Sequence, residues 1–450
     1  MKRLIRTFVN IYKIEDLRIR ILNTLFFLLI YRLGSFIVLP GVDSVMLEQY
    51  ASQGTGLASL LNMFAGGAFS RASVFALGIM PYISASIVMQ LLGIAVPQFA
   101  KMQKEGESGR KKITQWTRLL TIAICLAQAP GYIATQVPAE AMVSSGPFFW
   151  ISSTVLLVTG TMFVMWLGEK ITDKGLGNGI SLLIMIGIIA NFPTAIIFEF
   201  ESRLGVEAGG TVLFLVEMVF LLLVTVATIL LVQGVRKVPV NFAKNVVGSR
   251  QYGGARNYIP LKVNASGVMP IIFAQALMFL PMTLVGFSSD ESSALTSFAS
   301  VFADITGFWY NFTFFVLIIA FTYFYTAITI NPNQMADDLK KNGGFVPGIR
   351  PGKATADFLD NILSKITLPG SIFLGVIAIL PAFAMIAGVS TQFAYFFGGT
   401  SLLIMVGVIL DTLQQVESYL LMREYDGLMK SGKISGRSTA GAYGTGGAAI

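Results

Sequence analysis

Residues 150–198 read WISSTVLLVTGTMFVMWLG (150–168), EKITDKGLGNG (169–179) and ISLLIMIGIIANFPTAIIF (180–198). Each outer run is close to the ~20 residues that cross ~30 Å of hydrocarbon as a helix. Neither run contains Asp, Glu, Lys or Arg, whereas the short link holds Glu169, Lys170, Asp173 and Lys174. A helix apolar on every side belongs in a lipid or a deep protein interior, and a link this short turns the chain straight back. This stretch is therefore read as two antiparallel transmembrane helices joined by a glycine-rich turn.

The pattern repeats outward in both directions, at 21–39, 75–96, 117–137, 211–233, 267–286, 309–330, 368–388 and 393–410. At 54% hydrophobic and 12% charged, a chain of 450 residues is too apolar for a water-soluble globule. The first run follows Lys2, Arg3, Arg6, Lys13, Arg18 and Arg20, as a signal peptide would. No small-residue cleavage site follows it in LPGVDSVM, so it is read as an uncleaved first span.

Positive charge alternates between the links. All but three of the 32 Lys and Arg residues lie in, or at the edge of, the N-terminal arm (1–20), the links 97–116, 169–179, 234–266 and 331–367, and the tail from 411. The opposite links, 40–74, 138–149, 199–210, 287–308 and 389–392, hold only Arg71 and Arg203; Arg32 lies within the first span. Clustered Lys and Arg keep a loop cytoplasmic, so both termini are expected there. Five spans per half is an odd number, so the second half would enter the bilayer inverted relative to the first, the topology of an inverted repeat.

Several chemistries are disfavoured. Histidine is absent, which removes the commonest general base and metal ligand, and a single cysteine, Cys125, permits no intrachain disulfide. GIRPGKAT (348–355) is one residue short of a phosphate loop and has Ala354 where that motif needs Ser or Thr. GESG (106–109) has no partner base. The net charge of +8 is explained by topology and not by nucleic-acid recognition. Ionisable groups inside the apolar runs are sparse, Arg32 and Glu217, which argues against a proton- or ion-coupled carrier. An intramembrane enzyme using Ser84 or Asp411 is weaker still.

Other features are ambiguous from the residues alone. LASLLNMFAGGAFSRASV (57–74) is apolar, broken at Gly66–Gly67, and too short to cross. It reads equally well as a surface helix or as a re-entrant helix held within the protein. Ile79 and Ile83, like Ile184 and Ile188, share a helical face at i, i+4, a spacing that ordinary packing also produces. The link 234–266 carries Arg236, Lys237, Lys244, Arg250, Arg256 and Lys262 with no acidic residue, and 331–367 has the Gly/Pro-rich tip NGGFVPGIRPGKAT. Long turn-rich loops of this kind suit docking of a cytosolic partner. The tail SGKISGRSTAGAYGTGGAAI is expected to be disordered.

Six strings resemble one family in order. They are LNMFAGGAFSRASVFALGIMPYISASIVMQLL (61–92), KEGESGRKKITQWTR (104–118), TGTMFVMWLGEKITDKGLGNGIS (159–181), PLKVNASGVMPIIFA (260–274), FVPGIRPG (345–352) and GGTSLLIMVGVILD (398–411). The chain is identified as a member of the SecY family, channel-forming subunits of the bacterial Sec protein translocase. The resemblance implies an all-α polytopic membrane protein of ten transmembrane helices, in two inverted halves of five with a short plug helix. The implied organisation is an arm (1–20), a first half (21–198) with plug 57–70, an external hinge loop (199–210), a second half (211–410) and a cytoplasmic tail (411–450).

It further implies a pore ring of Ile79, Ile83, Ile184, Ile188, Ile272 and Ile404, whose apolar side chains would exclude ions by dewetting. The plug would contain Leu60, Phe64, Gly66, Gly67 and Arg71. Ser84 and Gln128 match polar positions of a lateral gate built from the second, third, seventh and eighth spans; Gln275 is added here for its place in the seventh. Arg250 and Arg350 match docking positions for a SecA-type motor ATPase or the translating ribosome, with Arg256 and Lys353 beside them. Ser249 departs from relatives that carry a second arginine there. SecE- and SecG-type small subunits, secretory and membrane polypeptides and the lipid bilayer complete the implied partners. The implied location is the cytoplasmic (inner) membrane, with no cofactor, metal or catalytic residue.

Overall fold

The computed structural model describes residues 14–43, 46–47, 62–63, 65–142, 146–204, 210–242, 245–247, 250–252, 256–285 and 306–430. Every apolar run read from the sequence corresponds to a helix. In the first half these are α1 (Glu15–Gly34), α2 (Met80–Ala95), followed by the short α3 (Pro97–Lys104), α4 (Glu107–Gln136), α5 (Pro147–Lys174) and α6 (Gly179–Arg203). The second half contributes α7 (Gly210–Gln233), α8 (Met269–Val285), α9 (Phe308–Thr329) with its extension α10 (Pro332–Lys341), α11 (Lys353–Ile386), the single turn α12 (Thr391–Ala394) and α13 (Gly399–Lys430). Among the described residues 7 helices are long and apolar enough to cross a membrane alone, and 8 if α2 and α3 count as one bent span. The other two expected spans are α1, whose ends are charged, and α8, which falls just short of the length.

Local chemistry explains the boundaries. α2 turns through 104° into α3 at Val96–Pro97, because proline cannot donate to the preceding turn. The expected span 75–96 starts as helix only at Met80, with Pro81 in its first turn. The residues before it form successive turns tied to the stretch that follows α1, where Leu39 N–H donates to Ala72 O (2.9 Å) and Val74 N–H to Ile37 O (2.9 Å). α6 is capped by Asn178, whose Oδ1 accepts from Ile180 N–H (3.1 Å) and Ser181 N–H (3.4 Å).

The two long cationic links contain structure that the sequence reading treated as loop. Strands β1 (Val235–Phe242), β2 (Asn245–Val247), β3 (Arg250–Tyr252) and β4 (Arg256–Lys262) lie in the first, and β5 (Gly344–Phe345) in the second. β1 pairs antiparallel with β4 in register Val238↔Ile259, and β5 pairs with β1 at Asn241↔Phe345. Val238 and Val240 point inward with Leu261, Val346, Leu359 and Leu363, forming a small core separate from the membrane bundle. The sheet thus welds both links, and the protruding first turns of α11, into one platform at one end of the molecule.

The halves are joined unequally. α6 packs against α13, α7 and α12, whereas on the opposite side α2 meets α8 only sparingly. At the sheet end, the 175–179 turn is held from two directions. Thr24 Oγ1 accepts from Leu176 N–H (3.0 Å), and Gln415 Oε1 accepts from Gly177 N–H (2.8 Å). Mid-helix, Phe192 and Phe396 rings lie 4.9 Å apart. One face of the bundle is a fastened seam and the other a loose one.

Candidate functional site

The six isoleucines come from four helices and converge. Ile79 and Ile83 sit at the first turn of α2, where Ile83 N–H donates to Ile79 O (3.1 Å). Ile184 and Ile188 lie on α6, Ile272 on α8 and Ile404 on α13. Five of them are buried in one apolar cluster, and the half-buried Ile272 packs against it. Burying each such side chain contributes on the order of 1.5–3 kcal/mol, so the cluster helps hold these helices together.

The segment before α2 closes on the same cluster from the far end, opposite the sheet. Met63 is a buried member of it, and its carbonyl accepts from Asn191 Nδ2 (3.4 Å) on α6. Gly66 adopts φ +64, and a Cβ there would stand 3.1 Å from the Gly187 Cα, between Ile184 and Ile188. Both the left-handed backbone and the contact demand glycine. Gly67 follows at φ +86, and its N–H returns to Asn62 O (2.8 Å). Leu60 and Phe64 lie outside the described residues.

Arg32, one of the two charges inside the apolar runs, explains how this segment is held. Its Nη1 donates to Gly66 O at 2.6 Å. Its guanidinium and that of Arg71 stand 4.9 Å and 4.4 Å from the Phe36 ring centroid. Tyr132 on α4 adds a hydrogen bond from its hydroxyl to Phe69 O (2.6 Å). The Arg32, Asn191 and Tyr132 contacts are long-range, and residue types alone gave no signal for them.

The expected gate residues fall on both sides of the loose seam. Ser84 on α2 and Gln128 on α4 are half-buried on helices that pack together. Gln275 on α8 is buried and lines a cavity of about 30 Å³ with Tyr310, Asn311 and Ser401. No hydrogen bond joins these three residues. What does meet across the seam is a pair the sequence reading missed, the polar side chains of Gln90 on α2 and Tyr325 on α9, which stand close enough to interact.

At the sheet end, Arg350 and Lys353 are exposed on the loop that begins α11. The loop is fixed from within, where Thr355 Oγ1 donates to Arg350 O (2.9 Å). Arg256 opens β4 on the sheet platform, whereas Arg250 opens β3, which pairs only with β2 in a separate two-stranded hairpin of the same link. Ser249 lies outside the described residues.

The six isoleucines thus meet in one apolar cluster, with the segment around Met63 packed against it. The SecY family model matches residues 73–413. The protein translocase subunit SecY of Streptomyces coelicolor is 41% identical over 440 residues, covering 95% of this chain and 100% of that protein. This chain belongs to the SecY family. The SecY subunit of Mycobacterium tuberculosis is likewise 41% identical over 447 residues, covering 95% and 100%. Among solved structures, a protein-conducting channel superposes with TM-score 0.65 at 17% identity, over 89% of this chain and 92% of that one. Sec61 in the canine ribosome–channel complex from the endoplasmic reticulum superposes with TM-score 0.60, also at 17% identity, over 89% and 92%. The chain is a membrane-embedded channel subunit of a protein translocase, and not an enzyme.

Proposed function

We propose that Ile79, Ile83, Ile184, Ile188, Ile272 and Ile404 form the constriction through which unfolded secretory polypeptides pass, and that the segment around Met63–Arg71 is the plug that seals it. The observation that carries this reading is the convergence of all six isoleucines and Met63 on one apolar cluster. An apolar ring gives ions and water no partners and gives a moving chain no hydrogen bonds to trap it. The loose α2–α8 seam, with Ser84, Gln128 and Gln275 near it, is the lateral gate through which transmembrane segments reach lipid. Polar contacts within an apolar seam are worth ~0.6–2 kcal/mol each, so such a seam yields to a hydrophobic helix.

The sheet platform with Arg256, Arg350 and Lys353, together with the β2–β3 hairpin that carries Arg250, is the cytoplasmic docking face for a SecA-type motor or a translating ribosome. SecE- and SecG-type subunits bind the outside of the bundle. Both termini are cytoplasmic, the membrane is the cytoplasmic one, and residues 199–210 bridge the halves externally. The charge alternation supports this orientation.

The test is site-specific crosslinking to a secretory chain stalled in transit. Probes at 83, 188, 272 and 404 are expected to capture it, while one at Val219, 67% exposed on α7, captures lipid or a small subunit. Equal capture at Val219 and at the ring positions would remove the ring from the path.

A further inference from the structure

The second charge inside the apolar runs, Glu217, leads to a feature remote from the pore. At the far end of the fastened seam, Arg203 on α6 donates from Nε to Glu199 Oε1 (2.9 Å), one turn earlier on the same helix. Its Nη2 donates to Glu217 Oε1 on α7 (2.7 Å) and to Gly388 O, just beyond α11 (2.7 Å). Glu199 Oε2 accepts from Ser390 N–H (3.0 Å). The three side chains are 10%, 0% and 7% exposed. Glu199 and Arg203 belong to the first half; Glu217, Gly388 and Ser390 belong to the second. One buried guanidinium therefore ties the two halves together at Glu217 and Gly388, and its partner Glu199 adds a third tie through Ser390.

Packing alone does not call for this cluster. Two carboxylates and one guanidinium are poor filler for a dry interface, and apolar residues of equal volume would serve an inert contact as well or better. What an ion cluster adds is geometry, since charge-assisted bonds tolerate little change in angle or distance. Placed at the end of the extensive contact that α6 makes with the second half, it fixes the angle at which the halves meet. The α2–α8 seam on the other side opens only if that angle changes.

We propose that Arg203, Glu199 and Glu217 are positioning residues that set how readily the halves part, and hence how hydrophobic a signal sequence must be to open the channel. This inference rests on the lateral-gate reading above. Glu217→Gln keeps the size of the side chain and leaves the Glu199–Arg203 pair intact, but weakens the bond between halves. Leu402→Ala is the comparison. Leu402 is buried against Val224 and Val406 within the second half alone, so its loss loosens packing without touching the seam.

The experiment uses membrane vesicles containing the assembled translocase and an ATP-driven motor. It measures translocation of one precursor with an intact signal and of a second whose signal has lost its apolar core, alongside the thermal midpoint of each variant. Glu217→Gln is expected to raise the defective-to-intact ratio about tenfold over wild type, with intact-signal transport within twofold. Leu402→Ala is expected to lower the midpoint at least as much and leave the ratio unchanged. An unchanged ratio in Glu217→Gln overturns the inference, as does an equal rise in Leu402→Ala. Ile83→Asn separates this from failure of the channel reading. If Ile83→Asn raises the ratio and Glu217→Gln does not, only the seam assignment falls; if neither does, the gating model falls with it.

Discussion

At the scale of single residues, position in the tertiary structure is what sets six ordinary isoleucines apart. Ile184 and Ile188 are one turn apart on α6, a spacing that lipid contact or plain packing would equally produce. Only their convergence with Ile83 and Ile404 in one cluster distinguishes them. Ile83→Asn places an amide without a partner in that cluster. Leaving it unsatisfied costs about 1–3 kcal/mol, which the closed state relieves by admitting water. The expected outcome is a several-fold rise in ion conductance across planar bilayers holding the resting translocase, with the thermal midpoint lowered by a few degrees. Conductance equal to wild type would show that Ile83 does not face the seal. Gly66 was legible as a break in an apolar segment. That its backbone must press on Gly187 was not, because the two lie far apart in sequence and the contact is made by backbone atoms.

Among elements, the sheet platform shows both what periodicity reveals and what charge hides. In β1, Arg236 and Lys237 face out while Val238 and Val240 are buried, with Pro239 between them facing solvent. That alternation was present in the sequence, but the density of Arg and Lys made the link read as solvated loop. Its partner β5 is only two residues long, too short for any periodic signal, and it joins β1 across a long stretch of chain. The platform fixes the root of the 345–352 loop, so Arg350 stands on a rigid base and not on a tether. Arg350→Glu is accordingly expected to reduce motor-driven secretion at least tenfold while changing the thermal midpoint little, since the side chain is exposed and its loop is held by Thr355. Secretion at the wild-type rate, measured on proteoliposomes with saturating motor, would place docking elsewhere.

For the whole molecule, the unequal seams make a prediction about motion. The halves are fastened along α6 and touch lightly at α2 and α8, so opening should separate Gln90 from Tyr325 while the Gly177–Gln415 contact persists. In a Cys125→Ser background, cysteines introduced at 90 and 325 and bridged by a cleavable reagent are expected to block translocation until the bridge is reduced. Transport at the uncrosslinked rate through a fully bridged channel would rule out opening along this seam. The sequence by itself determined the class of molecule, an all-α membrane protein of many spans. That follows from the local free energy of placing each residue in lipid or water. It left the folded-in segment undecided between surface and interior, and gave no sign of which helices would be fastened. Those were decided by tertiary contacts between residues distant in the chain: Arg32 on the Gly66 carbonyl, Asn191 on Met63, and Arg203 bridging Glu199, Glu217 and Gly388. Hydropathy reports where a residue would rather be. It carries no record of which partner meets a buried charge once the chain has packed, and here those partners hold the channel's parts in place.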